Sequence, residues 1–226
     1  MQLFYLSNIN SCYLSGDEFI HCIKVLRKKI NDIISITDGK GNIFSAKITE
    51  IEKNKCSLDI ISKIKKIKKN KKIHIVVAPT KSFNRMEWMV EKLTEIGVSE
   101  ISFIYSKNSE RKNIKIKRLE KKAISAMKQS NSAFKPIIND IISFSDFIKK
   151  KLDYEGKFIT QIKSKKLLKN SLIKIKKSIL IIGPEGDFDD NEIKIAKSMN
   201  FNLVSLGTNV LRTETAAIVS CSTIIS

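Results

Sequence analysis

The pattern of apolar and polar positions changes character near residue 70. Before that point it has the short period of β-strands. Asp32–Gly39, Asn42–Thr49 and Lys55–Ser62 are β-rich runs separated by turn signals. Asp38-Gly39-Lys40-Gly41-Asn42 supplies a strong hairpin turn. One stretch departs from the strand rhythm: from Gly16 to Lys28, the residues Phe19, Ile20, Ile23 and Leu26 recur at helical spacing. A small barrel-like β module with one helix is the expectation.

The run Lys63–Lys72 then interrupts the pattern with lysines broken by two isoleucines and an asparagine. It reads as a solvated linker and marks a domain boundary. Beyond it, strands and helices alternate. Ile73–Pro79 is a strand of the fully buried kind. The next helix carries Met86, Met89, Val90, Leu93 and Ile96 and stops at Gly97. Glu100–Tyr105 is a strand, and a basic helix follows from about Ile116 to Ser130, ended before Pro136. Ser145 is read as the N-cap of a short helix. Lys157–Ile162, Ser178–Gly183 and Asn202–Gly207 are strands. A helix between the last two is announced by Asp189 and Glu192 in capping-box spacing, and Thr213–Ile225 is a final helix. This alternation predicts an α/β domain on a mainly parallel sheet.

Composition narrows the possibilities. At 226 residues and 42% hydrophobic, the chain can bury a core, which excludes wholesale disorder. The net charge of +19 favours an anionic partner, nucleic acid first. Nearly all of that charge is lysine, which a biased gene composition also produces, and a basic surface supplies only non-specific affinity. Arginine stands only at positions 27, 85, 111, 118 and 212. Each is informative, because its planar fork suits phosphate and carboxylate. Cys12, Cys22, Cys56 and Cys221 include no CxxC pair, and His21 and His74 adjoin no ligand cluster. Neither a metal site nor a disulfide framework is expected. The first residues lack a signal-peptide pattern, and no run of eighteen apolar residues occurs, so a cytoplasmic location is expected.

Ligands of parallel sheets sit beyond the carboxyl ends of the strands. Two strand exits here carry glycine: Gly183-Pro184-Glu185-Gly186, and Gly207 followed by an irregular segment into Arg212-Thr213-Glu214. Glycine lets backbone approach a ligand closely. No GK[ST] follows, so the first is not a P-loop, and neither has the GxGxxG form. Arg212, Thr213 and Glu214 gather polar groups at a helix start, where a site would lie. The plainer alternative has Thr213 capping the last helix and Arg212 paired with Glu214 or Glu185.

These motifs resemble one family. His21-Cys22-Ile23-Lys24-Val25-Leu26-Arg27 is similar to an H-x-x-x-V-L-R signature near its N-terminus. Arg85-Met86-Glu87-Trp88 with Glu91–Gly97, Ser109-Glu110-Arg111, Gln129-Ser130, Ile182–Phe188 and Leu211–Ala216 match further signatures in the same order. The family is that of the 16S ribosomal RNA uracil-N3 methyltransferases, RsmE, within the SPOUT class. The resemblance implies a PUA-like RNA-binding β-barrel over residues 1–70 and an α/β SPOUT methyltransferase domain with a deep trefoil knot over 71–226. Chain-level rules alone predict an unknotted sheet. It also implies a homodimer, 16S ribosomal RNA of the small subunit as partner, and S-adenosyl-L-methionine as cofactor.

By match to the family's pattern, Ile182, Gly183, Leu206, Gly207, Val210, Leu211 and Thr213 bind the cofactor. Uracil N3 keeps its proton at neutral pH, so the site needs a base or a cation to stabilise the uracil anion. Arg212 is the candidate cation, and Glu185 or Glu214 accepts the proton, orients Arg212 or serves only a structural role. Arg27, Arg85 and Arg111 are the expected phosphate contacts, unless Arg85 pairs only with Glu87 or Glu95. Two departures stand out: Ser132, where the family often has arginine, and Asp187, where glycine is common. The competing readings are a SPOUT enzyme for another nucleotide and an inactive RNA-binding or ribosome-assembly protein.

Overall fold

The computed structural model describes residues 2–67 and 71–226. Residues 68–70 of the lysine run, and with them the expected boundary at residue 70, lie outside the described residues. The chain forms two compact units: Met1–Lys68 with Ile124–Lys135, and Lys69–Ala123 with Pro136–Ser226.

The first unit holds β1 (Leu3–Tyr5), β2 (Tyr13–Ser15), β3 (Ile33–Thr37), β4 (Asn42–Ile51) and β5 (Lys55–Lys65), in the order β1-β3-β4-β5-β2. The long pair β4/β5 has register shifts at Ser45/Ala46 and Ile48/Glu50. Such irregularities bend strands and curl a sheet. Phe44, Ala46, Ile48 and Leu58 meet Phe4, Leu14 and Ile36 in one core. The expected helix is irregular: α1 (Gly16–Phe19) runs directly into a π-helical segment, Ile20–Val25. The wider turn rotates the apolar set out of the α-helical register. Phe19 and Cys22 are buried, while Ile20, Val25 and Leu26 are exposed.

The hairpin between β3 and β4 explains its glycines. Gly39 and Gly41 have φ of +71° and +101°. Residues 133–135 dock on this turn: the Gly41 amide donates to the Ala133 carbonyl, and the Lys135 amide to that of Gly39, each at 2.8 Å. A Cβ on Gly41 would lie 2.6 Å from the Phe134 ring, so the close approach requires glycine.

The second unit is built on β6 (Lys72–Val77), β7 (Glu100–Tyr105), β8 (Ile137–Ser143), β9 (Gly156–Thr160), β10 (Lys177–Ile182) and β11 (Asn202–Val204). Their order is β11-β9-β10-β6-β7-β8 and every pairing is parallel. Its helices are α2 (Phe83–Ile96), the part of α3 (Ile116–Gln129) before Ile124, α4 (Phe144–Ile148), α5 (Asp190–Ser198) and α6 (Thr213–Ile225). Parallel sheets are covered on both faces, so their strands are apolar at successive positions. In β10, Leu180 and Ile182 join the core under α2 and α6, while Ile179 and Ile181 join the core under α4 and α5. At the end of α2, Gly97 has φ +101° and its amide meets the Leu93 and Thr94 carbonyls.

Two local expectations are corrected. Ser143, not Ser145, caps α4, accepting from the Asp146 amide at 3.0 Å. Strand β8 was not expected, because Asn139 and Asp140 break its apolar run. It tolerates them as an edge strand, where Asn139 donates to Glu100 Oε1 at 2.7 Å.

Candidate functional site

Strands β11, β9 and β10 are neighbours, and their carboxyl ends enclose a cavity of about 360 Å³. That volume suits a small organic ligand. Each exit builds one wall.

After β10, the chain turns at Pro184–Asp187, closed by the Asp187 amide on the Pro184 carbonyl at 3.0 Å. Asp187 has φ +56°, a conformation that favours glycine. Aspartate tolerates this conformation by bonding locally: Oδ1 accepts from the Phe188 amide at 2.8 Å. Asn108 Nδ2 holds the carbonyls of Gly186 and Asp187, each at 3.1 Å. At Gly183 a Cβ would lie 2.9 Å from the buried Phe188 ring. After β11, Ser205 Oγ donates to the Gly207 carbonyl at 2.8 Å and accepts from its amide at 3.2 Å. Gly207 itself has φ +145°. The third wall, Thr160-Gln161-Ile162 at the end of β9, was missed by sequence reasoning. It carries no glycine or charge, and only its place in the sheet makes it part of the site.

Thr213 opens α6, but its hydroxyl does not cap that helix. Oγ1 donates to the Gly183 carbonyl at 3.2 Å, joining the helix start to the first glycine turn. Arg212 is the N-cap residue, with no side-chain capping bond.

The structure gathers Ile182, Gly183, Leu206, Gly207, Val210, Leu211 and Thr213 around this cavity, together with Glu185 and Arg212. Glu214 is not in the lining; its side chain is 6% exposed. The pairing anticipated for Arg212 belongs to another residue. Arg85 Nη1 lies 3.5 Å from Glu185 Oε1, and its Nε 3.6 Å from Glu214 Oε1. Among the described residues, Arg212 has no carboxylate partner and is exposed. Arg85's nearer candidates are engaged elsewhere: Glu87 with Arg118 at 2.6 Å and Glu95 with Lys92 at 3.0 Å. Arg111 does not line the cavity, and its Nη2 donates to the Lys81 carbonyl. Arg27 belongs to the first unit, exposed, with φ +53°. Ser132 also belongs to that unit, where its hydroxyl accepts from the Phe134 amide at 3.2 Å.

The site therefore presents bare backbone at two glycine turns over the apolar side chains of Ile182, Leu206 and Leu211. Ile162 and Val210 stand 57% and 71% exposed at its rim, where they can cover a planar ring. A free guanidinium and a half-exposed carboxylate adjoin it. Among the described residues, no group of three or more His, Cys, Asp or Glu side chains stands together as metal ligands would. Among the same residues, no helix is long and apolar enough to cross a membrane.

The chain matches the family model for an RNA methyltransferase domain over residues 67–225, and that for an RNA methyltransferase PUA domain over residues 14–61. It is 35% identical over 223 residues to the ribosomal RNA small subunit methyltransferase E of Buchnera aphidicola subsp. Acyrthosiphon pisum, covering 94% of this chain and 87% of that one. The solved structure of a probable rRNA-methyltransferase from Porphyromonas gingivalis matches with a TM-score of 0.92 at 38% identity, covering 98% and 95% of the two chains. That of a ribosomal RNA small subunit methyltransferase E from Neisseria gonorrhoeae, bound to S-adenosyl methionine, matches with a TM-score of 0.85 at 27% identity, again covering 98% and 95%.

Proposed function

The chain belongs to the ribosomal RNA small subunit methyltransferase E family, and from that premise we propose that it methylates N3 of a uridine in 16S ribosomal RNA, using S-adenosylmethionine. The observation that carries this reading is the single cavity formed by both glycine exits and the start of α6. S-adenosylmethionine supplies an electrophilic methyl on a sulfonium. Backbone groups at Gly183 and Gly207 would bind its polar edges. Ile182, Leu206, Val210 and Leu211 would enclose its adenine, with Thr213 holding Gly183 in place.

The protein's part in the reaction is to favour the uracil anion at N3. Arg212, at the cavity and without a carboxylate partner among the described residues, would stabilise charge on the uracil oxygens. Of the two glutamates, Glu185 lines the cavity, so it is our candidate proton acceptor; Glu214 does not reach it. Among the arginines expected at RNA we retain Arg27 and Arg111. Arg85 has two internal carboxylates. A PUA-like RNA-binding domain to about residue 70, a trefoil knot in the following domain, a homodimer and a cytoplasmic location accompany this reading through the family resemblance.

The test uses small ribosomal subunits from a strain lacking the enzyme, with labelled S-adenosylmethionine, followed by mapping of the label. Label on N3 of one uridine is expected. Label on a ribose or a guanine would assign another nucleotide. No label together with no calorimetric cofactor binding would leave an RNA-binding protein.

A further inference from the structure

We propose that Arg85 is a positioning residue for the transfer, its one guanidinium bridging Glu185 and Glu214 so that the loop after β10 is clamped to the start of α6. This deepens the methyltransferase reading and rests on it.

Arg85 lies in the first turn of α2, after the N-cap Ser82. That helix and α6 share one core, where Met89, Val90 and Leu93 belong to the same cluster as Ala217 and Cys221. The Arg85 backbone is thus fixed relative to the first turn of α6. The loop bearing Glu185 has its backbone closed by the Asp187 amide on the Pro184 carbonyl, but this bond does not hold the Glu185 side chain. The loop is tied at its beginning by Thr213 on the Gly183 carbonyl, and at its end by Asn108 on the carbonyls of Gly186 and Asp187. Glu185 falls between these ties, with its side chain 49% exposed. Arg85 reaches it there. Two edges of one planar fork serve two carboxylates, a task a lysine ammonium cannot share in the same way.

Glu214 explains why a cation is needed. Its Oε2 is buried and has no hydrogen-bond partner among the described residues. A buried carboxylate so poorly satisfied requires a counter-charge. Arg85 is that counter-charge, helped by the positive end of α6. Without it, the Glu214 carboxylate in the first turn of α6 would be left buried with its charge unpaired. That turn adjoins Leu211, Arg212 and Thr213 of the cavity wall. The geometry also argues against Arg85 as a contact to RNA phosphate. With two carboxylates against its guanidinium, Arg85 is not a free cation for a phosphate.

Because backbone and apolar groups would bind the cofactor, loss of the clamp falls on turnover rather than on cofactor affinity. The experiment compares full-length wild type, Arg85→Ala, Arg85→Lys, Glu214→Gln and the double variant Arg85→Ala/Glu214→Gln. Cofactor affinity is read by calorimetry, kcat and KM on small ribosomal subunits, and stability by thermal melting. Arg85→Ala is expected to lower kcat on the order of a hundredfold, the scale of a misplaced reacting group. Its cofactor Kd should stay within about threefold of wild type. Arg85→Lys should be intermediate. The double variant should regain the melting temperature lost in Arg85→Ala, because the unpaired charge is gone, yet not regain kcat, because Glu185 is still unheld.

An unchanged kcat with a raised KM for RNA, and a salt slope lowered by about one, would make Arg85 a phosphate contact and overturn the clamp. So would a double variant that melts no higher than Arg85→Ala. If the wild type binds no cofactor, the methyltransferase reading fails instead, and the melting comparison still decides the clamp.

Discussion

Lowering the pH should destabilise the second unit through His74. This side chain is 5% exposed. Its Nδ1 lies 2.9 Å from the Tyr154 hydroxyl and its Nε2 2.8 Å from Ser102 Oγ. Asn139 Nδ2 donates to that same Ser102 oxygen at 2.8 Å. Burial pushes the His74 pKa down from 6.5 to about 4; Lys150 adds to the shift, and the Glu100 carboxylate opposes it. Tyr154, pushed up to about 12 by burial and by Glu100, stays a neutral phenol throughout. The folded protein therefore holds a neutral imidazole that the unfolded chain protonates near 6.5. Between the two values the unfolded state binds more protons, so stability falls as pH falls. The contribution is fully present above 6.5 and gone below about 4. At 1.36 kcal/mol per unit the shift amounts to about 3 kcal/mol at most, of which about 2 kcal/mol is lost by pH 5. Urea unfolding of wild type and His74→Gln at pH 7.5, 6 and 5 isolates this effect, since carboxylates titrate alike in both. Wild type should lose about 2 kcal/mol relative to the variant by pH 5. Parallel stabilities would refute the reasoning and mean that water reaches the imidazole.

Other outcomes follow from the site. Arg212→Ala should retain cofactor binding and lose roughly 10²–10³-fold in kcat, as expected for a lost anion-stabilising donor; unchanged turnover removes Arg212 from the mechanism. Thr213→Val keeps the shape but deletes the bond to the Gly183 carbonyl, so cofactor binding measured by calorimetry should weaken by about 1 kcal/mol, while Thr213→Ser should not. Gly183→Ala places a methyl 2.9 Å from the buried Phe188 ring, and melting should show a loss of about 1–3 kcal/mol. Replacing Arg27 and Arg111 by alanine should flatten the slope of log RNA affinity against log salt by about 0.7–0.9 for each phosphate that the pair neutralises. An unaffected slope would mean that these arginines do not meet the backbone.

Much of the fold was legible because its signals are local. The apolar positions of β6 and β10 declare strands buried on both faces. Asp189 and Glu192 form the expected capping box, at 2.7 and 3.0 Å. Gly97 stops α2 where its positive φ is needed. The failures have local causes too. Alpha-helical spacing cannot foresee the π-helical turn at Ile20–Val25, and Asn139-Asp140 disguises an edge strand. In the site, both glycine turns could be read, since backbone freedom is written into residue type.

The wall at Thr160–Ile162 had no such mark. The partner of Arg85 was equally hidden: sequence proximity favoured Glu87 and Glu95, and the fold chose Glu185 and Glu214. Residue type and spacing determined the elements, the turns and the chemical groups available. Which strand ends share a cavity, and which carboxylates meet an arginine, depended on the order β11-β9-β10-β6-β7-β8. That order is set by burying apolar surface on both faces of the whole sheet at once, a free energy that no short window of sequence contains.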